Sequence, residues 1–405
     1  MELSNHEDIV IVGAGLGGLS VAVGLHRLGL RSLVLESSDI LRSSGFALTI
    51  WTNAWRALDA LGVGDSLRQQ HVRLEGVISC SALSGSVTSK IAIKEPKKPG
   101  DREVRCLRRN LLVETLAKEL PDGTIRCSSK VVAIEEAGKL KLLHLADGST
   151  LKAKVLIGCD GINSIVSKWL GLKAPVFSGR CAARGFAMYP GGHGIKREFA
   201  QYFGKGFRAG VLPCDDEMVY WFFTWTSDGN DEETMEDAIK VREFVIGKMK
   251  NSNVPEEVIQ VIEKSEPSSV ASSHLRYRSP FHLLWGDVSK GNVCVTGDAF
   301  HPMTPDLGQG GCSALEDGVV LAKCLGEALC GGQLKEDEES RIEAALQKYA
   351  RARRWRAFDL VATSIMLGFI QEGGNGFLAL LRDQVLSGFM LNKYFSEAGF
   401  DFGKL

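Results

Sequence analysis

The chain has 405 residues, of which 44% are hydrophobic and 24% are charged, and its formal net charge is −1. These proportions are typical of a globular protein, and the length is sufficient for two domains with a sizeable core. The near-zero net charge gives no sign of a nucleic-acid partner or of attraction to an anionic membrane.

Cysteine usage and targeting patterns exclude further classes of protein. The ten cysteines contain no Cys-x-x-Cys pair and no secretory leader is recognisable, so we expect a reducing compartment without structural disulfides. No metal-ligand cluster and no run of about 18 apolar residues occurs, so neither a metal site nor a membrane span is expected. Residues 403–405 (Gly-Lys-Leu) resemble a peroxisomal signal only loosely, which leaves the cytoplasm as the expected location.

The first predicted elements form a strand, a glycine-rich turn and a helix. An apolar strand at residues 7–12 is followed by Gly13, Gly15 and Gly18, and a second strand ends at Glu36. In this pattern one glycine makes the tight turn, the next admits a pyrophosphate, and the third lets helix and strand pack closely. The acid at the end of the second strand accepts hydrogen bonds from a ribose. The pattern predicts a dinucleotide site without choosing between FAD and NAD.

A second strand-to-turn signal lies further along the chain. The apolar run at residues 155–159 leads into Asp160 and Gly161, and a helix start follows. Asp-Gly after a strand is commonly a plain turn. This pair therefore indicates a binding site only in combination with the glycine-rich segments that precede and follow it in the chain.

The segment Gly297–Gly311 carries the strongest signal. It follows an apolar strand at residues 292–296 and runs into a helix-like stretch at residues 313–322. A glycine-rich turn before a helix presents free backbone N–H groups and the positive end of the helix dipole to an anion. Asp298 adds a carboxylate that can hold a ribose hydroxyl.

These three segments resemble, in order and spacing, the class A flavoprotein monooxygenases. That family includes para-hydroxybenzoate hydroxylase, salicylate hydroxylase and the plant zeaxanthin epoxidases. The resemblance covers roughly residues 7–360, and residues 42–62 look most like the plant monooxygenase-1-like branch. The motifs are specific for the family and not for a substrate.

The resemblance implies FAD as the cofactor and NADPH or NADH as a transient electron donor. It implies an arginine contact at Arg109, or at Arg108 if the register slips by one. The residues that it assigns to FAD are Gly13, Gly15, Gly18, Glu36, Arg42, Arg109, Asp160, Gly161, Asp298, Pro305, Gly308, Gly310 and Gly311.

One motif departs from the family pattern. The family commonly has His after Asp-Gly-x and Arg four residues later, where this chain has Asn163 and Ser167, with Lys168 one place further on. The family motif is linked to both FAD and the nicotinamide donor, so this departure affects the contacts that the resemblance implies for the donor.

The reaction implied by the resemblance is monooxygenation. NAD(P)H reduces FAD, O₂ adds at the flavin C4a carbon, and the (hydro)peroxide delivers one oxygen to an aromatic, phenolic or related secondary metabolite. Epoxidation, Baeyer–Villiger oxidation and oxidative dearomatisation on the same scaffold stay open, and a flavin-dependent reductase is the alternative of another class. No acid–base residue stands out, so no catalytic residue is assigned and the chemistry is left to the flavin.

The predicted fold is α/β: a Rossmann-like FAD domain of the para-hydroxybenzoate hydroxylase type with an inserted mixed sheet and C-terminal helices. The basic cluster at residues 351–356 is expected to be a solvated helix face. The predicted boundaries are 1–70, 100–175 and 275–345 for the FAD domain, 71–99 and 176–274 for the substrate domain, and 346–405 for the C-terminal helices.

The substrate is expected between the inserted sheet and the flavin. The aromatic strand at residues 220–225 has two faces, and the sequence does not tell which one borders the pocket. Arg184 either pairs with an acidic substrate or forms a structural ion pair. The expected partners are a small aromatic or other apolar substrate and O₂, in a monomer or homodimer. The residues predicted to line the pocket are Leu48, Tyr220, Phe222 and Pro305.

Overall fold

The computed structural model describes residues 6–41, 46–94, 102–229, 235–330, 337–372, 387–403 and 405, except for the side chains of 387–391. The strands are β1 (His6–Val12), β2 (Leu33–Leu35), β3 (Ala47–Ile50), β4 (Gly76–Ser81), β5 (Val87–Ala92), β6 (Arg105–Arg108), β7 (Ile125–Arg126), β8 (Val131–Ala137), β9 (Leu140–Leu145), β10 (Thr150–Gly158), β11 (Val176–Met188), β12 (Glu198–Phe203), β13 (Phe207–Pro213), β14 (Met218–Thr226), β15 (Val270–Tyr277), β16 (Ser289–Lys290) and β17 (Val293–Val295).

The helices alternate with the strands in the first half of the chain and dominate its last quarter. They are α1 (Leu16–Arg27), α2 (Thr52–Ala60), α3 (Gly64–Gln70), α4 (Arg109–Lys118), α5 (Ile165–Trp169), α6 (Ala238–Lys250), α7 (Glu256–Glu263), α8 (Pro280–Trp285), α9 (Gly310–Cys330), α10 (Glu338–Gln371) and α11 (Ser387–Glu397), with short 3₁₀ turns at Pro267–Ser269, Gly297–Ala299 and Pro305–Leu307.

The first large sheet has the strand order β16-β17-β10-β1-β2-β7, and the pair β8-β9 joins it beside β10. The strands β17, β10, β1, β2 and β7 are mutually parallel, and their apolar runs are covered on both faces, as is typical of parallel sheets. Val12 is in register with both Leu35 and Gly158, and Gly158 with Val295. The carboxyl ends of four strands therefore meet at one edge, where ligands of such sheets bind.

The second sheet has seven strands in the order β15-β11-β14-β13-β12-β4-β5. It contains the predicted hairpin of β4 and β5 and the predicted strand-rich region, and only the β12–β4 pair is parallel. On β14, Trp221, Phe223 and Trp225 belong to the core under α6 and α7. The alternate side chains Tyr220 and Phe222 therefore face the other way, toward the first sheet.

The two sheets follow the predicted α/β architecture. The strands of the first sheet come from the three segments assigned to the FAD domain, and most of the second sheet comes from the inserted segments. The predicted domain boundaries stay a prediction. Within the described ranges, no helix combines the length and apolarity that a membrane crossing requires.

The basic cluster on α10 is not the solvated helix face that the sequence suggested. Arg353 is 1% exposed and pairs with Asp317 at 2.6 Å and with Glu316 at 2.6 Å. Arg356 is also buried and pairs with Glu316 at 3.2 Å. Helical periodicity located these arginines correctly, but their partners on α9 are too distant in sequence for a local pattern to reveal.

Candidate functional site

Three cavities meet along the carboxyl edge of the first sheet. The outer cavity (about 880 Å³) and the central cavity (about 870 Å³) share Gly15, Arg109, Cys159 and Gly161 as wall residues. The inner cavity (about 230 Å³) opens from the central one. The residues common to the central and inner cavities are Ala47, Leu48, Arg184, Asp298, Gly310 and Gly311. Together the cavities form one cleft between the two sheets.

Glu36 lies in the wall of the outer cavity at the end of β2. Its carboxylate accepts hydrogen bonds from the backbone N–H of Ala14 at 2.8 Å and of Ser38 at 2.9 Å, and from the Ser37 hydroxyl at 3.1 Å. Burial alone would raise the pKa of Glu36, but these hydrogen bonds outweigh it and hold the pKa below its usual value. The carboxylate is therefore ionised and already oriented where a ribose would need an acceptor.

The glycines of the first motif are required at their positions for different structural reasons. A Cβ on Gly18 would lie 1.9 Å from the Gly13 carbonyl oxygen, and Gly13 itself has a φ of +102°. These two glycines permit the tight turn and the close approach of α1 to β1.

Gly15 is different, because a Cβ there would meet no protein atom within 4 Å, although Gly15 lines both the outer and the central cavity. The space beside Gly15 therefore fits a ligand and is not filled by the fold. That is the arrangement that a dinucleotide backbone requires.

Asp160 and Gly161 lie where the outer and central cavities approach each other. The Asp160 carboxylate accepts hydrogen bonds from the Ser164 hydroxyl at 2.5 Å and from the Ile165 backbone N–H at 2.7 Å. Burial raises its pKa, since these hydrogen bonds only partly offset the loss of water. Asp160 thus holds the start of α5 and, together with Gly161 and Asn163, lines the outer cavity.

The Gly297–Gly311 segment supplies the floor of the central and inner cavities. Asp298 lines both cavities, and burial raises the pKa of its carboxyl although His301, Arg109 and Arg184 act in the opposite direction. The helix α9 begins at Gly310, earlier than the sequence suggested. Its first-turn N–H groups therefore lie at the cleft, where they can bind an anion. Pro305 and Gly308 line the inner cavity.

Asp317 on α9 binds residues of the Gly297–Gly311 segment, a role that the sequence did not predict. Its Oδ2 accepts the Gly297 backbone N–H at 2.9 Å and lies 2.7 Å from the Nε2 of His301. Arg353 donates to the other carboxylate oxygen at 2.6 Å. Burial opposes ionisation, but His301 and Arg353 outweigh it and hold the pKa of Asp317 far below its usual value.

Two adjacent arginines lie where α4 begins. Arg108 donates through Nε to the Asp215 carboxylate at 2.6 Å, so its guanidinium is engaged by the second sheet. Arg109 lines both the outer and the central cavity. This placement favours Arg109 over Arg108 as the arginine that reaches a ligand. Arg42, the other predicted arginine contact, lies outside the described residues.

Five aromatic side chains line the inner cavity: Trp51, Phe199, Tyr220, Phe222 and Tyr394. Leu48 and Pro305 border it as well, so all four residues predicted for a substrate pocket lie here, and that this cavity binds the substrate stays a prediction. Arg208 and Thr224 are among its polar wall residues. Burial raises the pKa of Tyr220, so its phenol is protonated at neutral pH.

Arg208 is buried beside this cavity, and sequence reasoning missed it. Its guanidinium donates to the Gln201 side-chain oxygen at 2.8 Å and lies 4.8 Å from the Phe222 ring centre. The Asp306 carboxylate is 3.6 Å away but binds Arg180 at 2.7 and 2.8 Å. Arg208 is the one charged residue in the otherwise apolar strand β13, and its partners Gln201 and Asp306 lie on other segments, so no local pattern identifies them.

Known proteins resemble the chain over its whole length. A sequence profile described as the FAD binding domain matches residues 6–364. Monooxygenase 2 of Arabidopsis thaliana is 49% identical over 412 residues, covering 100% of both chains, and Monooxygenase 1 of the same plant is 38% identical, covering 89% of each. The predicted likeness to the plant branch of the family is thereby confirmed.

Solved structures show the same fold. Klebsiella pneumoniae HpxO, solved in complex with FAD and uric acid, superposes with a TM-score of 0.81 at 24% sequence identity, and the match covers 98% of each chain. The family profile and the plant relatives, rather than this fold likeness, establish the family. The chain is a member of the class A FAD-dependent monooxygenases.

Proposed function

We propose that the enzyme binds FAD along the outer and central cavities and oxygenates a small aromatic compound held in the inner cavity. The observation that carries this proposal is the continuity of the cleft from Gly15 to the aromatic walls around Tyr220 and Phe222. FAD needs an extended site, and its reactive ring must meet the substrate at one end of that site.

The residues present fit FAD. Gly15 leaves open space for the pyrophosphate, Glu36 offers an oriented acceptor to the adenosine ribose, and the first turn of α9 offers N–H donors. When bound there, the flavin supplies the transfer of electrons from NAD(P)H and the activation of O₂. The chain's own residues bind and orient the ring, and the two sheets keep water from the reacting end.

The size of the inner cavity favours a substrate of one or two rings. Its volume is about 230 Å³, and a cavity of roughly 150 Å³ already accepts benzene. Its wall consists mainly of aromatic and aliphatic side chains, which suits a flat apolar ring. A larger substrate would have to extend back into the central cavity.

Two guanidinium groups at the cavity favour a substrate with an acidic or oxo substituent. Arg184 forms no ion pair within the described part of the chain, although it borders both the central and the inner cavity. This supports the acidic-substrate alternative for Arg184 over the structural ion pair. Relatives at 26–30% identity include urate hydroxylases and 6-hydroxynicotinate 3-monooxygenase, whose named substrates have this chemistry.

The same proposal includes the cellular setting. The ten free cysteines favour a reducing compartment, and we place the enzyme in the cytosol, as a monomer or a homodimer. The nicotinamide donor would dock transiently at the open mouth of the central cavity, since only one glycine fingerprint occurs in the chain.

Turnover under ¹⁸O₂ tests the proposed reaction. The FAD-loaded enzyme is incubated with NADPH or NADH and each member of a panel of hydroxylated aromatic acids and their neutral analogues. We expect one ¹⁸O atom in the product of at least one acidic compound, and product structure then distinguishes hydroxylation from epoxidation, Baeyer–Villiger oxidation or dearomatisation. Reduction of a compound under anaerobic conditions without oxygen incorporation would instead support the reductase alternative.

A further inference from the structure

Arg278, which directly follows β15, is a buried cation with no acidic partner among the described residues. Of the five buried arginines in the described ranges, the other four lie within ion-pair distance of a carboxylate: Arg180, Arg208, Arg353 and Arg356. Arg278 is 1% exposed, and its Nε and Nη1 atoms have no hydrogen-bond partner among the described residues. Burial lowers its pKa to about 10. An uncompensated buried charge is costly, so the presence of the Arg278 guanidinium at this place points to a function.

Arg278 contacts the Gly297–Gly311 segment at two points. Its backbone N–H donates to the Pro302 carbonyl oxygen at 3.0 Å, and its Nη2 donates to the Ala299 carbonyl oxygen at 3.2 Å. These two acceptors flank the stretch that immediately follows Asp298. Asp317 on α9 binds Gly297 and His301 of the same turn. The turn that presents Asp298 to the cleft is therefore held by side chains from two separate segments.

Ser167 shares the acceptor of Arg278, since its hydroxyl also donates to the Ala299 carbonyl oxygen. Ser167 occupies the position where the family resemblance leads one to expect an arginine. The carbonyl therefore receives a short neutral donor from α5 and a guanidinium from Arg278, which directly follows β15 and is more than one hundred residues away in sequence. The guanidinium at this carbonyl is thus supplied by Arg278 and not by α5.

We propose that Arg278 is a positioning residue that takes the place of the arginine missing at position 167. It holds the Gly297–Pro302 turn in the geometry that presents Asp298 to the flavin. Because its charge has no carboxylate partner among the described residues, it adds positive potential to the turn beside the proposed cofactor, which favours an anionic ligand. This inference rests on the proposed FAD site.

The test uses a set of full-length variants. Arg278→Met removes the charge and keeps the chain length, and Arg278→Lys keeps the charge. The double variant Ser167→Arg with Arg278→Met returns the guanidinium to α5. The matched control is Arg354→Met, because Arg354 donates to the main-chain carbonyls of Leu283 and Gly286 at 3.1 and 2.9 Å, away from the turn.

Three quantities are measured: the Kd for FAD, the midpoint potential of the bound flavin, and the melting temperature of the apoprotein. For Arg278→Met we expect at least a tenfold rise in Kd and a more negative midpoint potential, with an apoprotein at least as stable as the Arg354→Met control. In Arg278→Lys and in the double variant, the Kd for FAD and the midpoint potential should both return most of the way to the wild-type values.

Wild-type Kd and potential in Arg278→Met would overturn the proposal. Loss of FAD affinity and of potential in Arg278→Lys as large as in Arg278→Met would also overturn it, since the charge would then have no effect of its own. If Arg278→Met does not fold, the test rests on Arg278→Lys and on the double variant. A midpoint potential that differs from wild type in both of these variants would then contradict the proposal. Failure of the wild-type protein to bind FAD would instead refute the proposed FAD site.

Discussion

Replacement of Gly15 by alanine separates the needs of the fold from those of the cofactor. A Cβ at Gly15 meets no protein atom within 4 Å, and the backbone φ of −76° is accessible to alanine. The free energy of unfolding of the apoprotein should therefore stay the same or rise by up to about 1 kcal/mol, because the unfolded chain loses freedom. The added methyl group instead enters the space assigned to the FAD pyrophosphate.

The expected loss of affinity follows from the cost of overpacking. An extra methyl group in a filled space costs about 1–3 kcal/mol, and each 1.4 kcal/mol corresponds to a factor of about ten in Kd. The Kd for FAD should therefore rise roughly 5-fold to 150-fold in Gly15→Ala. Fluorescence titration of the apoprotein with FAD measures the affinity, and urea denaturation of the same preparation measures the stability.

Gly247→Ala, on α6, is the matched control. Its Cβ would also meet no protein atom within 4 Å, but Gly247 lines none of the three cavities. It should leave the Kd for FAD unchanged and the stability the same or higher by up to about 1 kcal/mol. Wild-type FAD affinity in Gly15→Ala, or an equal loss of affinity in both variants, would refute the assignment of this space to the dinucleotide.

Three further predictions follow from the same geometry. Gly18→Ala should lower the unfolding free energy of the apoprotein by about 1–3 kcal/mol in urea denaturation, because its Cβ would lie 1.9 Å from the Gly13 oxygen; a fully stable apoprotein would contradict this. Asp306→Asn should lower the unfolding free energy by about 3–5 kcal/mol at pH 7, since it removes one of the two carboxylate partners of buried Arg180 and the carboxylate 3.6 Å from buried Arg208. Although burial opposes ionisation, Arg180 and Arg208 hold the pKa of Asp306 below its usual value of 3.8, so its stabilisation is complete above about pH 4 and lost below it. The difference in unfolding free energy between wild type and Asp306→Asn should accordingly shrink only below about pH 4. A difference that already shrinks at higher pH would contradict the lowered pKa of Asp306. Arg184→Met should raise KM about tenfold or more for an acidic aromatic substrate and little for its neutral analogue, because a hydrogen bond to a charged group contributes about 1.5–3 kcal/mol; equal effects on both substrates would contradict the assignment.

The parts of the site that local sequence reveals are those built by adjacent residues. Gly13, Gly15 and Glu36 are recognisable because strand, turn and helix follow each other directly in the chain. Parallel pairing then brings Gly158 and Val295 into register beside Val12, so the three motifs share one edge. This is why the order of the motifs was sufficient to predict the fold and the cleft.

The parts that the sequence concealed depend on contacts between distant segments. Asp317 reads as one acid on an amphipathic helix until Arg353 and His301 are placed beside it. The face of β14 that borders the cavity was undecidable, because both faces are aromatic and only the packing of α6 and α7 against Trp221 and its neighbours separates them. Arg278 gave no signal, since its acceptor carbonyls lie on another element.

The most direct test of the central claim is the rate of NAD(P)H oxidation by the FAD-loaded enzyme in air, with and without small aromatic acids. If the inner cavity binds the substrate beside the flavin, at least one such compound should stimulate the rate, and Arg184→Met should reduce that stimulation. Bound FAD with no stimulation by any aromatic acid, while larger neutral compounds do stimulate oxidation, would contradict the assignment of the inner cavity.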